Sequence, residues 1–180
     1  MKHKRSVTAG AVIAACAVAV LFAFMYTGKY LLLSSELTGK VLFSAEIREG
    51  ETFSVSYIHS VNKSPVTEYY MIQNTEIYLT ALRFSSFGAG MPDAPGDGLI
   101  TVSDDGDMLI EALSRHVPEL CYFIGRGAEH TLHLRARAVP LGTLDEPGQS
   151  VLFSVEIYPK LFILLKEIST AWYRSIMSMN

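Results

Sequence analysis

The chain has 180 residues, 49% of them hydrophobic, which suits one ordinary domain with its own core and one additional segment. Its net charge is −3, and all 18 acidic residues follow Gly28, so the later part of the chain is distinctly acidic. An acidic domain lacks the clustered positive charge that phosphate groups need, which argues against a nucleic-acid partner. Only two cysteines are present, and one lies in an apolar run, so an intrachain disulfide is excluded.

The N-terminal segment, residues 1–28, predicts a transmembrane helix. Basic residues in the first five positions precede an uncharged, apolar run at residues 6–28. About 20 apolar residues cross a bilayer, and the basic flank predicts a cytoplasmic N-terminus with the remaining chain exported. We therefore expect a single-pass protein of the cell membrane whose C-terminal domain is periplasmic. The alternative is cleavage near Cys16, as a signal peptide or a lipoprotein, which would give a secreted or lipid-anchored protein.

The central part of the chain, residues 40–158, predicts an all-β domain that follows a linker at residues 29–39. Short segments of alternating apolar and polar residues are separated by turn residues, and no alternation of strands and helices is seen. The predicted strands lie at residues 41–47, 53–59, 66–72, 77–84, 99–103, 108–112, 120–124, 130–137 and 150–158. This pattern is typical of an antiparallel β-sandwich or a barrel-like domain.

The C-terminal segment, residues 159–180, predicts an amphipathic helix. Apolar residues recur at helical spacing after Pro159, and charged residues interrupt them, so a second membrane span is excluded. We expect the helix either to pack across an open face of the β domain or to rest with Trp172 on a membrane or a partner. The first interpretation is favoured.

Residues 57–92 hold the candidate chemistry of the chain. His59 shares a face of its predicted strand with Tyr57, and Glu68 shares a face of the next strand with Tyr70. If the two strands pair as a hairpin, we expect His59 and Glu68 to lie across from each other on one face. The pair is interpreted either as a polar contact that fixes strand register or as part of a ligand site.

Ser60 beside His59 suggests a hydrolase, but the expected geometry argues against it. Adjacent residues on a strand point to opposite faces, and no Gly-x-Ser-x-Gly motif surrounds Ser60. His130 and His133 form a poor zinc site for the same reason, since three-residue spacing on a strand separates their side chains. We therefore predict no catalytic residue, no metal ligand and no cofactor.

The segment Phe87-Gly-Ala-Gly-Met-Pro92 predicts a special backbone turn. Gly88 and Gly90, on either side of Ala89, allow positive φ angles, and Pro92 fixes the exit from the turn. Consecutive backbone N–H groups in such a turn can bind an anion. The turn is interpreted either as a tight crossover between sheets or as part of a ligand site.

Three motifs in this order resemble the bacterial domain-of-unknown-function family numbered eighteen-fifty: Tyr57-x-His-Ser-Val61, Pro65-Val-x-Glu-Tyr69 and the glycine-rich segment. The resemblance covers residues 42–158, and Ala128-Glu-His-Thr-Leu132 also matches a later segment of the family. It implies a small exported or membrane-anchored protein, and it implies no reaction. It further implies an accessory role for tripartite ATP-independent periplasmic (TRAP) transporters of the TAXI type, with the permease or the solute-binding protein as partner.

We therefore predict a membrane-anchored extracytoplasmic β domain that assists a TRAP transporter and is not an enzyme. The alternative is a small-ligand or metal-binding module, and a hydrolase is the least favoured interpretation. The candidate ligand-binding residues are Tyr57, His59, Ser60, Glu68, Gly88, Ala89, Gly90, Pro92 and His130.

Overall fold

The structure is a computed structural model of the chain. It describes residues 15, 18, 20–22, 25–85, 98–103, 106–163 and 165. The chain divides into two compact units: one is Met1–Lys29 with Ile157–Asn180, and the other is Tyr30–Glu156. The second unit contains the core and the candidate site.

The described residues are almost wholly β-structure. The strands are β1 Thr27–Ser35, β2 Val41–Ile47, β3 Thr52–Ile58, β4 Pro65–Gln73, β5 Glu76–Phe84, β6 Leu99–Val102, β7 Met108–Glu111, β8 Arg115–His116, β9 Leu120–Phe123, β10 Thr131–Leu134, β11 Arg137–Pro140 and β12 Ser150–Pro159. A short 3-10 turn, Leu141–Thr143, follows β11.

The strands form two sheets. The smaller has the order β2-β1-β12-β9, and the larger has the order β11-β10-β3-β4-β5-β7-β6, with β8 paired to β5. Neighbouring strands of the larger sheet pair antiparallel, as do β9 and β12 of the smaller one. The prediction of an antiparallel, all-β sandwich is confirmed.

Side chains from both sheets form the larger of two hydrophobic clusters. Leu33 of β1 and Val151 of β12 come from the smaller sheet, whereas Val55 of β3, Ile72 of β4 and Leu132 of β10 come from the larger one; all five are fully buried. Alternate residues of these strands point inward, as the period of two requires. The hydrophobic alternation in the sequence therefore corresponds to the inner faces of the sandwich.

Residues 29–39, which the sequence analysis assigned to a linker, contain most of β1. This strand lies between β2 and β12. Its residues Tyr30, Leu31, Leu32 and Leu33 are all buried, so both of its faces are covered. A continuous apolar run is typical of such a strand, and it lacks the alternation by which the other strands were recognised.

The predicted anchor at residues 1–28 and the predicted helical tail at residues 159–180 lie largely outside the described residues. Within the described ranges, no helix is long and apolar enough to cross a membrane. Residues 160–163 are helical directly after Pro159, and the Lys160 ammonium group lies 4.9 Å from the centre of the Tyr26 ring. Both terminal assignments stay predictions.

Candidate functional site

The β3–β4 hairpin determines which polar side chains face the interior. Glu68 of β4 lies opposite Val55 of β3, and Tyr57 lies opposite Val66. Opposed residues of an antiparallel pair share a face, and Val55 is fully buried, so Glu68 also points inward. The strand phases predicted for Tyr57 and Glu68 are therefore confirmed.

The predicted pairing of His59 with Glu68 is wrong. Strand β3 ends at Ile58, and the backbone N–H of His59 donates to the carbonyl of Ser64 at 2.9 Å. The hairpin therefore closes earlier than the sequence analysis assumed, so that Val55 takes the position opposite Glu68. Register depends on the length of the connecting turn, which strand alternation alone does not specify.

His59 stabilises the turn that joins β3 to β4. Its Nδ1 atom accepts hydrogen bonds from the backbone N–H groups of Val61 and Asn62, both at 3.3 Å, and its carbonyl accepts one from Lys63 at 3.0 Å. Lys63 has a φ of 52°, as a tight turn requires. The neighbouring Ser60 is exposed to solvent. The ring of His59 therefore stabilises the turn through hydrogen bonds to its backbone.

A second group of polar side chains lies where the two sheets face each other. We name it the tyrosine–carboxylate cluster, and its members are Tyr57, Glu68, Tyr70, Tyr122 and His130. Tyr57, Glu68 and Tyr70 come from the β3–β4 hairpin, Tyr122 comes from β9 of the opposite sheet, and His130 directly precedes β10. The register of Thr131 with Ser56 brings His130 beside Tyr57. The cluster therefore joins both sheets.

Three tyrosine hydroxyls surround the Glu68 carboxylate. Tyr70 and Tyr122 both approach Oε2, Tyr70 at 3.0 Å and Tyr122 in a short hydrogen bond, and Tyr57 donates to Oε1 at 3.4 Å. The hydroxyl oxygens of Tyr70 and Tyr122 are 2.8 Å apart. The contacts Tyr70–Glu68, Tyr122–Glu68 and Tyr70–Tyr122 are three, but the two tyrosines have only two hydroxyl protons to donate when Glu68 is ionised. Tyr70 therefore donates either to Glu68 or to Tyr122.

The three tyrosines retain their protons. Burial raises the pKa of Tyr57, Tyr70 and Tyr122 well above the ordinary value of 10.0, and the nearby negative charge of Glu68 raises each pKa further. The hydroxyls are therefore donors to Glu68 and not phenolate ligands. Tyr70 and Tyr122 are buried, whereas Tyr57 and Glu68 are only half-buried, so these two are the tyrosine and the carboxylate that solvent partly reaches.

His130 is the fifth member, and it carries an unsatisfied atom. The centre of its ring lies 5.1 Å from that of Tyr57 and 5.2 Å from that of Tyr122. Its Nδ1 atom is buried and has no hydrogen-bond partner among the described residues. Burial lowers the pKa of His130 below the ordinary value of 6.5, so the imidazole is neutral at pH 7. Buried nitrogen atoms of this kind are rare and call for a physical account.

The structure brings together three of the nine residues that the sequence analysis selected, namely Tyr57, Glu68 and His130. His59 and Ser60 lie in the turn between β3 and β4, whereas the glycine-rich segment that includes Gly88, Ala89, Gly90 and Pro92 is outside the described residues. Sequence reasoning missed Tyr70 and Tyr122 as members of the site. Tyr70 shares the face of Glu68 two positions away, and that spacing is a usable signal. No sequence signal connects Tyr122 to Glu68.

A separate serine–histidine contact lies on the opposite face of the larger sheet. The Oγ atom of Ser56 is 2.7 Å from Nε2 of His133. His133 therefore points away from the tyrosine–carboxylate cluster that contains His130, as the strand spacing predicted. No carboxylate among the described residues contacts His133, so the orienting group of a catalytic triad is not observed there. Across all the described residues, no group of three acidic, histidine or cysteine side chains could hold a metal ion.

A groove of about 630 Å³ lies on the outer face of the larger sheet. Its lining includes Tyr69, Glu111 and the ion pair of Arg83 with Asp107, whose Nη2–Oδ2 distance is 2.8 Å. Thr101 and Val102 of β6, the last strand in the sheet order, also line the groove. The cluster and the groove are thus on opposite faces of the same sheet.

The comparisons with known proteins give one match. A family model described as a domain of unknown function (DUF1850) matches residues 53–141, a segment that includes all five members of the tyrosine–carboxylate cluster. No curated protein and no solved structure matches the chain. The family match supports the assignment of this chain to the DUF1850 family, which the motifs of the sequence indicate and whose description names no function.

Proposed function

We propose that the protein is a membrane-anchored, extracytoplasmic accessory protein of a TAXI-type TRAP transporter. The observation that carries this proposal is the match of residues 53–141 to the DUF1850 family. The resemblance to that family implies the accessory role. The apolar run at residues 6–28, with its basic flank, supports an anchor. The acidic composition of the remaining chain suits the soluble surface of a domain in an extracytoplasmic compartment.

The edge of the larger sheet offers a surface for a transporter subunit. In β6, the side chains of Leu99 and Val102 are 67% and 66% exposed, and Ile100 is 40% exposed. A row of exposed apolar residues on the last strand of a sheet favours contact with a protein partner. We expect the permease or the solute-binding protein to contact this strand.

Copurification tests this proposal. The full chain, carrying an affinity tag, would be extracted from its own cells in a mild detergent, and the TAXI-type permease and solute-binding protein would be sought by mass spectrometry. We expect at least one of them to copurify, and we expect Leu99→Lys with Val102→Lys to reduce its recovery. Phe123→Lys is the matched control, because Phe123 is 61% exposed on the other sheet. Recovery of the chain alone would overturn the proposal.

The tyrosine–carboxylate cluster favours a second candidate function, the binding of a small ligand. The specific observation is the buried Nδ1 atom of His130, which has no partner among the described residues, in a cluster that also holds the half-buried carboxylate of Glu68. A ligand would satisfy this atom. Glu68→Gln is the variant expected to weaken binding while remaining folded, and His59→Ala is its control, because His59 lies outside the cluster.

A further inference from the structure

The tyrosine–carboxylate cluster carries one net negative charge. Within the described part of the chain, the Glu68 carboxylate accepts hydrogen bonds only from uncharged tyrosine hydroxyls, and the nearby His130 is neutral. No lysine or arginine among the described residues forms an ion pair with Glu68. Removing a charge from water without a counter-charge is unfavourable. The cluster therefore favours a cation as its partner.

Two aromatic rings lie beside the Glu68 carboxylate, because the hydroxyls of Tyr57 and Tyr122 both contact it. The rings of Tyr57 and Tyr122 have centres 6.2 Å apart, and the His130 ring lies close to both. The faces of aromatic rings attract cations, and desolvated sites strengthen this attraction. Two phenol rings beside a carboxylate thus favour a positively charged guest over a neutral or negative one.

Two acceptor atoms of the cluster, Oε1 of Glu68 and Nδ1 of His130, favour a cation with N–H groups. From the described residues, Oε1 of Glu68 receives one hydrogen bond, at 3.4 Å from Tyr57, and so retains acceptor capacity. A neutral imidazole with its proton on Nε2 presents Nδ1 as an acceptor, and Nδ1 of His130 has no partner among the described residues. A primary ammonium group has three N–H donors, enough for both atoms, whereas a quaternary ammonium group has none.

A metal ion fits the cluster less well. Within the described ranges, no three side chains of the usual ligand types converge, and the cluster supplies one carboxylate and one imidazole. The tyrosines hold their protons and so provide weak neutral oxygens. Zinc and calcium sites use more ionised or strongly donating ligands than these. The chemistry of the cluster therefore favours an organic cation.

We propose that the tyrosine–carboxylate cluster binds the primary ammonium group of a small organic molecule. This inference rests on the second candidate function, ligand binding, and gives the class of ligand. The carboxylate of Glu68 and Nδ1 of His130 accept the N–H groups, and the rings of Tyr57 and Tyr122 enclose them. The ligand body extends toward the solvent that partly reaches Tyr57 and Glu68.

The experiment measures binding of four probes that share a small apolar body: butylammonium, tetramethylammonium, butyrate and butanol. Each is titrated into the full chain in mild detergent while the imidazole signals of His130 are followed by NMR. We expect saturable binding of butylammonium, weaker binding of tetramethylammonium, and none of butyrate or butanol. Glu68→Gln should weaken butylammonium binding by about tenfold or more, because it removes a charged acceptor. His59→Ala should leave it unchanged.

Tyr57→Phe keeps the proposal testable if Glu68→Gln fails to fold. This variant retains the aromatic ring and removes only the longest hydroxyl contact to Glu68. Oε1 then gains acceptor capacity, so butylammonium binding should persist or become tighter. Loss of binding in this variant would overturn the proposal.

The remaining outcomes separate the ligand class from ligand binding itself. Saturable binding of butyrate or butanol at the His130 signals, in place of butylammonium, would overturn the ammonium class and leave the ligand-binding function standing. Saturation by none of the four probes would overturn both. Neither result depends on whether a transporter subunit copurifies.

Discussion

Tyr122→Phe should destabilise the protein more than the loss of one ordinary hydroxyl group. The substitution keeps the buried ring and its edge contact with Phe153, whose centre is 5.6 Å away, so packing is preserved. It removes the short hydrogen bond to Glu68 and the contact with the Tyr70 hydroxyl. A hydrogen bond to a charged group contributes about 1.5–3 kcal/mol, and Tyr70 partly compensates, so we expect a loss of about 2 kcal/mol.

Urea unfolding of the full chain in mild detergent, followed by far-ultraviolet circular dichroism, measures this loss. Tyr57→Phe is the matched control, because its hydroxyl contact is long and its side chain is half-buried; we expect it to cost less than about 1 kcal/mol. A Tyr122→Phe protein that is as stable as the wild type, or less affected than Tyr57→Phe, would refute the proposed hydrogen-bond network.

Three further variants test separate parts of the structure. Burial lowers the pKa of His130, so the unfolded chain binds its proton more readily; stability should fall as pH drops below 6.5, and His130→Gln should flatten that part of the urea-midpoint curve. The hydrogen bond from Arg135 lowers the pKa of Glu51, so the stability deficit of Glu51→Gln, measured by the same midpoints, should shrink as pH falls below 4.5. A Cβ atom on Gly98 would lie 2.9 Å from a backbone carbonyl oxygen of β7, so Gly98→Ala should cost about 1–3 kcal/mol in urea unfolding, whereas Gly127→Ala, with open space around it, should cost little.

Alternation in the sequence predicted most strands because one face of each strand is buried and the other is not. Strand β12 shows why this works: Val151, Phe153 and Val155 are buried, and the residues between them are more exposed. Strand β1 was missed because both of its faces are buried, which removes the periodic signal. The alternation within one strand thus reflects the burial of its two faces. It identifies the strand only where one face is buried and the other is exposed.

The site was partly predictable for a related reason. Strand phase places Glu68 and Tyr57 on inner faces, and this follows from residues that are close in sequence. The contact between Glu68 and Tyr122 spans 54 positions and joins two sheets, so local pattern contains no information about it. The role of His59 was misjudged because the turn length, and not the alternation, determines which residue lies opposite Glu68.

One variant of the cluster can separate its contribution to the stability of the fold from its contribution to ligand binding. Removing one partner of a buried polar group is costly, whereas replacing all partners with apolar groups of similar shape can be neutral or stabilising. The triple variant Glu68→Leu, Tyr70→Phe and Tyr122→Phe replaces the carboxylate and its two buried partners, and leaves the half-buried hydroxyl of Tyr57, whose contact is the longest. We therefore expect it to lie within about 1 kcal/mol of the wild type in urea unfolding. The same variant should no longer bind butylammonium.

A triple variant that is much less stable than Tyr122→Phe alone would contradict this reasoning. It would mean that the polar contacts between the sheets fix their register, and that no apolar packing can replace them. A stable triple variant that has lost binding would instead mean that the fold does not need the Glu68 charge. The unfavourable burial of that carboxylate would then be explained by what it binds.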